Sequence, residues 1–150
     1  NTDANSMEIC RYIWKDGQWT PYKGRDGLVA GRNNLDFNEK TGKIAFRRDG
    51  DKDSNLSIEV HYPDDGWSHL KGEPGAVSDQ TEGRLATIGT MEEPIDDLAV
   101  SAEIPILIRV FHTEDTIWPV SVDAFAHPEN SEAVQKSVYA EVYTVIFIQK

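Results

Sequence analysis

Hydrophobic and polar positions alternate with a period of two at several places along the chain. The pattern is clearest at residues 138–148, which read VYAEVYTVIFI. Val138, Ala140, Val142, Thr144, Ile146 and Ile148 share one side of an extended chain; Tyr139, Glu141, Tyr143, Val145 and Phe147 share the other, because successive strand side chains point to opposite faces. Most are β-branched or aromatic, the types that fit a pleated, half-buried surface. The even-numbered face is expected in the core. The odd-numbered face starts polar, which predicts half-exposure at Glu141. It ends apolar enough to need a cover, from this chain or from a second one.

Other stretches repeat the pattern more briefly. Residues 8–15 (EICRYIWK) alternate, and Asp16-Gly17 then signals a two-residue hairpin whose return begins at Gln18-Trp19-Thr20. Residues 28–30, 43–47, 56–62 and 84–89 read as short strands. Residues 98–111 give one or two strands, broken or bulged at Pro105, since proline cannot donate to a ladder. Residues 118–126 set Val120, Val122 and Ala124 against Ser121, Asp123 and Phe125 and read as a further strand. Residues 131–136 suit one helical turn capped by Asn130 or Ser131. Residues 63–83, with four Gly and two Pro, read as a long loop. No window sustains a helical period, and no internal repeat is visible. The predicted fold is all-β with little helix: a single-domain antiparallel β-sandwich of jelly-roll-like or immunoglobulin-like topology. It would occupy residues 7–150, behind a disordered leader at 1–6.

Composition narrows the function more than the fold. The 150 residues carry a formal charge of −11. Residues 1–48 hold nine Lys/Arg against six Asp/Glu, whereas residues 49–150 hold six against twenty. So acidic a majority repels phosphate backbones and disfavours nucleic acid. No apolar run approaches the roughly 18 residues of a membrane span. The single Cys10 excludes an internal disulfide framework and is expected to be a small, half-buried side chain. Localisation stays open. A mature terminus at Asn1 implies secretion or a virion or cell surface, and a native start at Met7 implies the cytoplasm.

Candidate chemistry is sparse. Asp49, Asp51 and Asp53 match the first alternate positions of a calcium loop, but Ser54 stands where glycine is needed and Val60 where glutamate is needed. A solvated acidic hairpin tip is the plainer reading; calcium is the alternative, and no other cofactor is indicated. Trp67-Ser68-His69, after Asp65-Gly66, combines an aromatic ring with polar neighbours in the long loop. With Trp19 these residues form a candidate ligand site (Trp19, Trp67, His69, Asp65), suited to stacking on a sugar face and fixing its hydroxyls. Trp14 and Trp118 are expected to fill the core. His61, His69, His112 and His127 lack zinc-motif spacing. There is no nucleophile elbow, phosphate-binding loop or dinucleotide fingerprint.

The sequence therefore points to a non-catalytic surface-recognition or assembly module, either carbohydrate-binding or an appendage knob. Its partner would be a glycan or a protein surface, and a homo-oligomer is compatible. The first alternative is an acidic inhibitor or immunity-type protein that binds a basic partner. The second is a metal-dependent β-barrel enzyme.

Overall fold

The computed structural model describes residues 4–22, 28–33, 43–48, 56–62, 66–70, 81, 83–91, 93–94, 99–113 and 115–149. Among these residues, nine strands and one short helix follow in chain order: β1 (Ser6–Lys15), β2 (Gln18–Pro21), β3 (Leu28–Asn33), β4 (Lys43–Arg48), β5 (Leu56–Tyr62), β6 (Gly66–Leu70), β7 (Ala86–Thr90), β8 (Glu103–His112), α1 (Glu132–Gln135) and β9 (Ser137–Ile148). The architecture is antiparallel and all-β, as the alternation predicts. One sheet has the order β2-β1-β9-β8-β7, with β3 also on β1; β4, β5 and β6 form a second.

The stretch with the strongest alternation is the centre of the large sheet. β9 pairs with β1 on one side, from Ser6↔Ile148 to Ile13↔Glu141, and with β8 on the other. The far side of β1 is shared: β3 pairs with Ser6 to Cys10 and β2 with Tyr12 to Lys15. Arg11 falls between them. Asp16 and Gly17 have φ of 53° and 77°, the left-handed pair that a tight two-residue hairpin requires. The register of β8 shifts between Pro105 and Leu107, so the expected bulge is present.

Both faces of β9 are covered from within the chain. Tyr143 and Val145 pack with Met7, Ile9, Leu107 and Ile58, and Ile44 and Phe46 from the small sheet lie against this cluster. On the opposite face, Ala140 and Val142 pack with Ile108, Val110, Ala124, Ala133 and Val134, with Trp14, Trp19, Trp118 and Phe125 around them. Burial of each large aliphatic side chain contributes roughly 1.5–3 kcal/mol. The odd-numbered face is buried from Tyr139 to Val145, with Phe147 half-buried against the same cluster.

Three details depart from the alternation. Residues 118–126 are not a strand: Val122–Phe125 is a 3-10 turn whose first amides are capped by Ser121, with Asp123 N donating to Ser121 Oγ at 3.2 Å. A 3-10 turn places residues three apart on one side, so Val122 and Phe125 both reach the core. The 63–83 stretch is not all loop, because β6 lies within it and pairs with β5. Glu141 is not half-exposed but fully buried. α1 forms as expected, with Ser131 as the cap: its Oγ accepts from Val134 N at 3.3 Å.

Candidate functional site

The most buried ionisable groups meet in the middle of the large sheet. Arg11 on β1, Glu141 on β9 and Arg109 on β8 share the face that carries Tyr143 and Leu107. The pairings Arg11↔Tyr143 and Arg109↔Glu141 bring the three into reach. Arg11 Nε donates to Glu141 Oε2 at 2.7 Å and Arg109 Nε to Oε1 at 2.7 Å. The Nη2 atom of each guanidinium also contacts the same oxygen as its Nε. Tyr139 completes the set, donating its hydroxyl to Oε2 at 3.2 Å while accepting from Arg11 Nη2 at 2.8 Å. The Tyr22 ring stacks 4.2 Å from the Arg11 guanidinium carbon, and the Phe111 ring lies 5.1 Å from that of Arg109. Such contacts suit cations removed from water.

This network is electrostatically committed. Burial alone would weaken the Arg11 charge, but the Glu141 carboxylate, with Tyr143 and Tyr139, outweighs it and holds the guanidinium more firmly protonated than usual. Burial, and then Glu141, push both Tyr139 and Tyr143 well above the ordinary phenol range, against an opposing pull from Arg11. Both carboxylate oxygens of Glu141 are engaged by charge-assisted donors, the strong class of hydrogen bond. Through one carboxylate the arrangement ties β1, β8 and β9 together. Sequence reading missed these residues as a set. The available signal was three charges at odd positions of otherwise apolar strands, with Arg109 interrupting the run of β8.

The residues singled out from sequence are dispersed. Trp19 is half-buried: its indole N–H donates to Ala124 O at 3.1 Å, and its ring stands edge-on to Trp14 at 5.1 Å. It packs on the face of the large sheet opposite the one that receives Ile44, Phe46 and Ile58. Trp67 and His69 are backbone members of β6 in the small sheet, opposite His61 and Glu59, so Trp19 and β6 lie on different sides of the large sheet. Asp65, Asp49, Asp51 and Asp53 lie outside the described residues. Among the described residues, no three His, Cys, Asp or Glu side chains converge for a metal ion. No described helix is long and apolar enough to cross a membrane. His112 is buried, its Nε2 2.5 Å from Thr87 Oγ1, and burial lowers its pKa below the ordinary 6.5.

A surface feature lies on the flank formed by β7, residues 117–123 and α1. A depression of about 740 Å³ is lined by Trp118, Ser121, Asp123, His127, Asn130 and Glu132 among others. A second, of about 520 Å³, runs beside β7 and includes Ile88, Gly89, Met91 and Glu93. The two share Val120, Ser121 and Asp123, and neither has lysine or arginine among its described lining residues. Lys136 stands nearby, 2.5 Å from Glu132 Oε1 and 5.0 Å from the Trp118 ring centre. Gly89 lets the backbone cross closely here: a Cβ at that position would sit 2.4 Å from Val120 O.

Comparison with protein-family models, with curated proteins and with solved structures returned no match.

Proposed function

We propose that the chain is a non-catalytic recognition module that binds a basic protein partner along the flank formed by β7, residues 117–123 and α1. The observation that carries this reading is the pair of adjoining depressions, whose described lining includes the carboxylates Glu93, Asp123 and Glu132. The −11 charge of the chain supports it, since a field of one sign steers a complementary surface into encounter. Met91 and Trp118 add apolar contacts between the carboxylates. Binding of a panel of lysine-rich and glutamate-rich peptides, followed across a salt titration, tests the idea. Lysine-rich peptides should bind and weaken with salt. The triple variant Glu93→Gln, Asp123→Asn, Glu132→Gln should lose about tenfold in affinity, at roughly 0.2–1 kcal/mol for each exposed pair. Equal affinity for both panels would sink the reading.

A glycan is the second reading, favoured by Trp118 lining the larger depression beside Ser121, Asp123 and Asn130. Affinity for a sugar would be nearly indifferent to salt and would collapse in Trp118→Ala.

A further inference from the structure

Among the described residues, no strand pairs with the outer edge of β7. On its inner side, His112 N donates to Leu85 O at 3.0 Å and Met91 N to Ile106 O at 3.1 Å. The register between them runs without a break, from Ala86↔Phe111 to Thr90↔Leu107. In an antiparallel ladder the hydrogen-bonded pairs alternate, so the backbone groups of Thr87 and Gly89 also point to β8. Those of Ala86, Ile88 and Thr90 point away from it. All three are exposed, and no described residue pairs with them. An uncovered row of N–H and C=O groups is a template for another strand.

Resting on the partner reading above, we infer that the basic partner contributes an extended segment that adds to the large sheet as a strand beside β7. The depression holding Glu93 and Asp123 adjoins this edge, so one set of alternating side chains on the added strand meets carboxylates. Ile88, on the opposite face from Gly89, offers an apolar contact to the other set. The segment that fits alternates lysine or arginine with β-branched residues. A second copy of β7 fits less well, because it would bring the Glu93 and Asp123 carboxylates of two chains toward each other.

A blocked ten-residue peptide of alternating lysine and valine is the probe, its glutamate–valine counterpart the control, and amide hydrogen exchange by NMR the readout. In the free protein the amides of Ala86, Ile88 and Thr90 should exchange fast and those of Thr87 and Gly89 slowly. Saturation with the lysine peptide should slow the first three. Ile88→Pro removes one outward donor while leaving the β8 ladder intact, because Ile88 does not bond to β8. It should weaken the peptide by about tenfold with the melting temperature unchanged, whereas Ile88→Ala should hold affinity within about threefold. Binding that leaves those three amides fast would overturn strand addition and spare the partner reading. No preference for lysine over glutamate peptide would overturn both. Protection of the same amides without peptide, rising with protein concentration, would overturn the inference in favour of self-pairing.

Discussion

Replacing Glu141 with glutamine tests whether the buried network holds the large sheet together. The substitution preserves shape and removes one charge. The carboxylate has no exposed surface and accepts from Arg11, Arg109 and Tyr139. An amide keeps one acceptor and turns its NH2 toward a guanidinium, leaving two buried cations without a counter-charge. Breaking a buried ion pair by removing one partner costs about 3–5 kcal/mol, against a total stability of about 5–15 kcal/mol for a native protein. Urea unfolding followed by tryptophan fluorescence and far-ultraviolet circular dichroism should show the midpoint falling by about a fifth or more at constant slope. The companion variant Arg11→Met, Glu141→Leu, Arg109→Met removes all three charges. It should recover most of the loss, because a well-packed apolar substitute for a buried triad is often neutral or stabilising. A loss under about 1 kcal/mol in Glu141→Gln would refute the reasoning, since an uncompensated buried charge costs more than that.

Other outcomes follow from single contacts. His112 has its pKa lowered by burial, so the unfolded chain takes up a proton that the native state refuses. Its contribution to stability is complete above the ordinary 6.5 and is lost as pH falls below it; His112→Gln should flatten the fall in melting temperature between pH 7.5 and 5.5. Tyr139 and Tyr143 are shifted the other way, chiefly by burial, so the stability they hold is complete below the ordinary phenol pKa of 10 and erodes above it. In a titration followed at 295 nm, two of the five tyrosines should stay protonated to about pH 11 and ionise only on unfolding. Gly89→Ala should cost about 1–3 kcal/mol in urea unfolding, because its Cβ would meet Val120 O at 2.4 Å.

The strands were legible where local pattern and tertiary environment agree. β9, β1 and β5 alternate in sequence and form strands where that pattern predicts them, and Asp16-Gly17 specifies its turn through φ alone. Where they disagree, the pattern misleads. Residues 118–126 have a period of two on paper. Pro119 cannot donate, however, and Ser121 captures the Asp123 amide, so the chain coils into a 3-10 turn that buries Ala124 and packs half-buried Val122 and Phe125 against the core. Glu141 looked solvent-facing because periodicity ranks a residue by its own polarity. Its burial follows from Arg11 and Arg109, which lie 130 and 32 residues away in sequence. The candidate site was less legible for the same reason. The depressions on the flank draw on β7, residues 117–123 and α1, and no local motif encodes their adjacency. Residue type alone makes Trp19 a ligand candidate; its hydrogen bond to Ala124 and its ring contacts also place it in the packing of its own face.

The buried network and the open edge are one strand apart, and that spacing bears on binding. Reading across the sheet, Ile88 pairs with Arg109, Arg109 with Glu141 and Glu141 with Ile13. The residue of β8 that backs the centre of the open edge is therefore the one clamped to the middle of the sheet. A partner strand that must order its template loses roughly 1–2 kcal/mol per residue of backbone entropy, and a template already fixed saves that cost. Glu141→Gln should then weaken peptide binding at β7 even where the protein remains folded. The amides of Thr87 and Gly89 should exchange faster in the free variant, while the carboxylates of Glu93 and Asp123 keep the peptide's dependence on salt unchanged. A variant that stays folded, exchanges Thr87 and Gly89 as slowly as the parent and binds the peptide equally well would show that the edge is held by its own ladder rather than by the network behind it.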